Sequence, residues 1–174
     1  MLLNVQDLRV TYRTPGQRPV EAVRGVSFRV DAGESLGIVG ESGCGKSSLA
    51  KALIGLQSPS AGTLLFENRD IRSLTSDAFR HYRRVVQMVF QDAVGSLNPR
   101  MTVRQTLSEV LRVHDRVPAA RVPARIGELL DFVGLPSTVL DAYPREISGG
   151  QCQRVSFARC LALEPRLIIA DEPV

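Results

Sequence analysis

At 174 residues the chain has the length of about one domain, and a content of 44% hydrophobic and 23% charged residues gives it enough apolar mass for a core. Disorder, collagen-like repeats and low-complexity scaffolds are excluded, and no window approaches the roughly 18 consecutive apolar residues of a bilayer span. The net charge of +4 invites a nucleic-acid partner, but the arginines are scattered, with Arg80, Arg83 and Arg84 around His81 and Tyr82 as the densest group. An aromatic content of 5% offers no stacking platform, so that group reads as a solvated helix face and no nucleic acid is expected.

The opening segment MLLNVQDLRV has no basic region ahead of an apolar stretch and does not read as a signal peptide. Leu8, Val10 and Tyr12 share one face of a predicted strand, and Val26, Phe28 and Val30 share one face of a second. Between them Thr14-Pro15-Gly16-Gln17-Arg18-Pro19 is a loop by its Pro and Gly content. After the turn Asp31-Ala32-Gly33, an apolar strand is predicted over Ser35 to Val39. It leads into a glycine-rich loop and a helix from Lys46 to about Gln57. Further strands are predicted over Gly62 to Phe66 and Val85 to Phe90.

From about Thr102 to Tyr143 the pattern becomes helical. Ile126, Leu129, Leu130 and Val133 stand at i, i+3, i+4 and i+7, an amphipathic helix that Gly134 is placed to close, and Pro118 and Pro123 break the stretch before it. A last helix, from Gly149 to about Leu163, leads through Glu164-Pro165 to the apolar run Leu167-Ile168-Ile169-Ala170. The three cysteines, Cys44, Cys152 and Cys160, have neither metal-type nor disulfide-framework spacing, and a reduced, cytosolic chain is the simplest account.

Three segments carry chemistry. Gly40-Glu41-Ser42-Gly43-Cys44-Gly45-Lys46-Ser47 fits the P-loop pattern, in which glycines let backbone N–H groups converge on phosphate oxygens at the positive end of the following helix. Lys46 would reach the β- and γ-phosphates, Ser47 would ligate Mg²⁺, and Ser48 continues the set. Of 22 basic residues only Lys46 and Lys51 are lysines, so a lysine at position 46 reads as a chemical requirement. The run ending in Asp171-Glu172 places two carboxylates at the C-terminal edge of a parallel sheet, where open α/β folds bind ligands; Asp171 suits a Mg²⁺ and Glu172 a general base. Ile147-Ser148-Gly149-Gly150-Gln151 begins a helix, and Ser148 with Gln151 has capping-box spacing. On spacing alone an ordinary capped helix with a glycine-rich entry is the simpler reading.

With these three segments in this order the whole chain resembles the nucleotide-binding subunit of an ABC transporter. Ile147 to Gln151, followed by Gln153-Arg154, resembles the family's signature motif, which usually begins with Leu. The resemblance implies an α/β P-loop NTPase core (parallel sheet with helices) with an N-terminal antiparallel β part and a helical subdomain insertion. It divides the chain into residues 1–90, core and antiparallel part; 91–146, Q-loop and helical subdomain; and 147–174, signature helix and Walker B strand. It also implies roles: Gln91 as the Q-loop glutamine that contacts Mg²⁺ and water, Tyr12 stacked on adenine, Asp171 on the metal, Glu172 as catalytic base. Ser148, Gly149, Gly150 and Gln151 would touch ATP held by a second ATP-binding subunit, homo- or heteromeric.

Ser96-Leu97-Asn98-Pro99-Arg100-Met101-Thr102-Val103 and Tyr143-Pro144-Arg145-Glu146 resemble the dipeptide, oligopeptide and nickel importers. This implies transmembrane permease partners, indirectly a solute-binding protein, a place on the cytoplasmic face of the membrane, and peptide before nickel as cargo. The family's D-loop and switch histidine would follow Asp171-Glu172-Pro173-Val174, so the chain reads as an incomplete cassette whose hydrolysis alone is poor. A soluble ABC protein acting as a nucleic-acid-linked switch and a binding-only module stay as rival readings.

Overall fold

A computed structural model describes residues 1–114 and 117–172. The chain forms two compact units, one running through Val86 and one beginning at Gln87.

The first unit is built on an antiparallel sheet. β1 (Leu3–Tyr12), β2 (Val20–Val30), β3 (Ala61–Phe66) and β4 (Arg69–Asp70) are ordered β2-β1-β3-β4. β1 pairs antiparallel with both neighbours, Val5 facing Phe28 on one side and Leu64 on the other. Alternation puts Leu8 and Val10 in the core as expected, and irregularities in register after Val5 bend the strand. α1 (Lys46–Leu53) contributes Leu49, Ala52 and Leu53 to the unit's buried residues, and α2 (Ser76–Val85), capped by Thr75, contributes Tyr82 and Val85. Tyr82 packs edge-on against Phe66 at 5.3 Å and stacked on Phe79 at 6.0 Å. Its hydroxyl donates to the Leu53 carbonyl.

Two expectations are corrected here. α1 stops at Leu53, short of Gln57, because Gly55 at φ +69° turns the chain back and donates to the Ala52 carbonyl. The segment Ser35 to Val39 forms no strand: Leu36 and Ile38 are exposed and Val39 is 97% accessible. A strand exists only through bonds to a neighbour, and among the described residues no strand pairs with this segment.

In the second unit, β5 (Val86–Val89) and β6 (Leu167–Ala170) form a two-stranded sheet. The helical part is as its pattern foretold. α3 (Ala93–Ser96) is a single turn; α4 (Val103–Val113) opens on a capping box between Thr102 and Gln105; α5 (Val122–Phe132) carries Pro123 in its first turn. Gly134 closes α5 at φ +66°, with its N–H on Asp131 and that of Leu135 on Leu130. α6 (Gly149–Leu161) shares one core with α4 and α5, in which Leu107, Leu111, Ile126, Leu130, Cys152, Val155 and Ala158 are buried.

Candidate functional site

Local backbone chemistry shapes the glycine loop. Gly45 is the residue before α1 and sits at φ +104°; a Cβ there would run into the backbone oxygen of Ala22 in β2. Only glycine satisfies both demands, so the loop is seated against the sheet by the absence of a side chain. A Cβ on Gly40 would come 2.6 Å from Cys44 Sγ. Lys46 folds back along the loop, its Nζ donating to the carbonyls of Gly40 at 2.8 Å and Glu41 at 3.0 Å. This draws a positive charge over the loop that also presents Ser42, Gly43 and Cys44 to solvent. No side chain caps α1 and no acid stands in its first turn, so the positive end of the helix dipole is not offset there by a carboxylate.

Tyr12, at the end of β1, donates from its hydroxyl to Ser48 Oγ at 3.2 Å. An aromatic ring is thereby fastened to the first turn of α1, next to Ser47 and Lys46.

In the second unit the structure joins two predicted residues far apart in sequence. Asp171 donates its backbone N–H to the Val89 carbonyl at 3.0 Å, extending the β5 end. Two residues on from Val89, Gln91 Nε2 donates to Glu172 Oε2 at 2.7 Å. Glu172 itself sits at φ +49°, a conformation unusual for a residue with a side chain. Pro173 and Val174 lie outside the described residues.

Ser148 and Gln151 form the reciprocal capping box that their spacing predicts: Gln151 N–H donates to Ser148 Oγ at 3.2 Å, and Ser148 N–H to Gln151 Oε1 at 2.8 Å. Gly149 and Gly150 are exposed, and a Cβ on either would meet nothing within 4 Å. Among the described residues neither glycine answers a steric demand. Behind them Cys152 is fully buried, and desolvation pushes its thiol above the ordinary range.

Sequence reading missed the meeting of Arg159 and Ser156 with Ser96 in this unit: Arg159 Nη1 donates to the Ser96 carbonyl at 2.9 Å, and Ser156 Oγ lies 3.2 Å from Ser96 Oγ. One signal was available. Arg159 has no acid three or four residues away on α6, so a half-buried arginine there needed a partner from elsewhere in the chain.

Comparison with known proteins gives a consistent picture. The chain is 41% identical over 183 positions to the oligopeptide transport ATP-binding protein OppF of Haemophilus influenzae, covering all of this chain and 55% of that protein. It is 48% identical over 156 positions to the oligopeptide transport ATP-binding protein AppF of Bacillus subtilis, covering 89% of this chain and 47% of that protein. Against the nickel import ATP-binding protein NikE of Escherichia coli it is 44% identical over 177 positions, covering 99% and 66%. The chain thus spans about half the length of the oligopeptide-transport relatives it matches. Among solved structures it resembles the ATP-binding cassette MJ0796, in a dimeric post-hydrolysis state bound to ADP and Pi, with a TM-score of 0.89 and 29% identity over 99% of this chain and 75% of that one. The sequence pattern of the ABC transporter family matches residues 23–174, and the chain belongs to that family.

Proposed function

We propose that this chain is the nucleotide-binding part of an ATPase subunit that drives an ABC importer of di- or oligopeptides. The observation that carries the reading is the Lys46-clasped loop at an uncapped helix start, in a chain of this family. Those groups fit a nucleoside triphosphate. Backbone N–H groups of residues 40–47 and the Lys46 ammonium suit the phosphates, and Tyr12, fastened beside them, suits the adenine face.

Mg²⁺ is proposed as the accompanying ion on the chemistry of the donor residues. This ion favours one or two protein oxygens completed by phosphate and water; Ser47, Gln91 and Asp171 are the residues proposed to hold it. When bound, the ion neutralises charge building on the transferred phosphoryl group. Glu172 is the proposed base that takes a proton from the attacking water, and Gln91, bonded to it, orients that water. The exposed glycines at the start of α6 are proposed to meet ATP on a second subunit, which supplies a reason for two glycines that their own chain does not demand.

The cargo reading rests on the oligopeptide relatives, and nickel is the second reading because NikE matches at 44%. Permease subunits, and through them a solute-binding protein, are the proposed partners. Among the described residues no helix is long and apolar enough to cross a membrane, and a peripheral place on the cytoplasmic face is proposed. Residues 1–90, 91–146 and 147–174 are proposed as functional segments of one ATP-binding domain.

Equilibrium binding of Mg-ATP to this chain and to Lys46→Ala tests the reading. Loss of a charge-assisted phosphate contact costs about 1.5–3 kcal/mol, tenfold or more in affinity. Equal affinity of the two proteins would refute it.

A further inference from the structure

α3 follows Gln91 and Asp92 directly and is only four residues long. So short a helix closes too few internal hydrogen bonds to hold itself, and its order must come from outside. Asp92 secures the front: its side chain accepts from the Gly95 N–H at 2.8 Å and its carbonyl from the Ser96 N–H at 3.0 Å. α6 secures the back. Arg159 donates to the Ser96 carbonyl at 2.9 Å, and buried Ser156 meets Ser96 Oγ, which also donates to Ala93 at 2.8 Å.

Hydrogen bonds therefore run from α6 through Ser96 to Asp92, the chain neighbour of Gln91, whose amide donates to Glu172. We propose that Arg159, assisted by Ser156, is a positioning residue that locks α3 and thereby aims Gln91 at Glu172. The catalytic part of this inference rests on the ATPase reading; the locking of α3 does not. Arg159 suits the task because a guanidinium on the last carbonyl of a short helix gives a directed, charge-assisted bond that a lysine would hold less rigidly.

Two readouts test it on the full chain. A nitroxide at Val94→Cys, an exposed site on α3, reports the order of that turn. One at Val113→Cys, exposed at the end of α4, reports global loosening. Both are placed in a Cys44→Ser background that leaves only buried thiols. Arg159→Ala, and the milder Arg159→Lys and Ser156→Ala should the first not fold, are expected to raise mobility at 94 at least twofold with 113 unchanged. Unchanged mobility at 94, or equal changes at both labels, would overturn the lock.

The second readout is ATP turnover in the assembled transporter. Arg159→Ala is expected to lower kcat about tenfold when Gln91 is present and less than twofold in a Gln91→Ala background. Equal losses in the two backgrounds would show that Arg159 does not act through Gln91. Turnover indifferent to Lys46→Ala would instead sink the ATPase reading, with the label result still deciding the lock.

Discussion

Gln91 Nε2 donates to Glu172 Oε2 at 2.7 Å, and so ties together two side chains 81 residues apart. The acceptor is a single carboxylate oxygen of the residue proposed as the base. Glu172→Gln keeps an acceptor oxygen for Gln91 and removes the proposed base. ATP turnover is expected to fall by about two to four orders of magnitude, while equilibrium ATP affinity stays within about threefold. Steady-state phosphate release beside nucleotide binding checks both, and a variant with near-normal turnover would exclude Glu172 as the base.

Gly45 carries the loop geometry. In Gly45→Ala the new methyl group meets the Ala22 backbone at a φ of +104°, so the loop must move or the residue remain strained. A destabilisation of about 2 kcal/mol or more is expected from the combined strain and clash. It is readable as a lowered denaturation midpoint, with loss of Mg-ATP binding as its functional counterpart.

Tyr82 anchors the first unit by ring packing and by its hydroxyl on the Leu53 carbonyl. Tyr82→Phe keeps the ring and orphans a buried carbonyl at the end of α1. The expected loss is about 1–3 kcal/mol, measured by urea denaturation with an unchanged slope. A neutral substitution would mean that Leu53 finds another donor.

Burial pushes the Cys160 thiol up to about 11, against a weaker opposing pull from the Arg159 charge. In the unfolded chain the thiol ionises near its ordinary value of about 8.5. Between those values the unfolded state holds fewer protons than the native one. Stability is therefore complete below about pH 8.5 and falls with rising pH by up to about 1.4 kcal/mol per unit. Cys152 shares the direction, and Tyr82, raised above its usual value by desolvation, adds to the fall from about pH 10. Cys160→Ala should flatten the midpoint-against-pH curve between about pH 9 and 10; an unaltered slope would assign the decline to other groups.

The cysteines also distinguish site from core. Cys44 is exposed in the glycine loop, whereas Cys152 and Cys160 are buried. At pH 8 an alkylating reagent should modify Cys44 alone in the native protein, and Mg-ATP should slow that reaction about tenfold or more. Mass spectrometry of the labelled peptides reads the result. Equal labelling with and without nucleotide would count against phosphate contact at residues 40–47.

What the sequence determined by itself is whatever the backbone settles within a turn or so. The Ser148–Gln151 box and the closure of α5 at Gly134 each involve atoms a few residues apart, and each took the expected form. Apolar periodicity placed Ile126, Leu129 and Leu130 inward for the same reason. The family was legible from motif order, because the phosphate loop, signature and acidic strand each have local sequence requirements.

Tertiary structure alone decided the rest. Residues 35–39 have a strand's composition, but a strand is a relation between segments, and no partner strand is described for them. Gln91 was recognisable as a motif residue, yet its bond to Glu172 depends on where β5 and β6 end. Ser156 and Arg159 drew no notice in the sequence, and Ser96 only as the first residue of a family segment, because hydrogen bonds spanning 60 and 63 residues leave no periodic trace. Short-range chemistry is written in neighbouring residues; a long-range polar contact exists only once apolar burial has brought its two ends together.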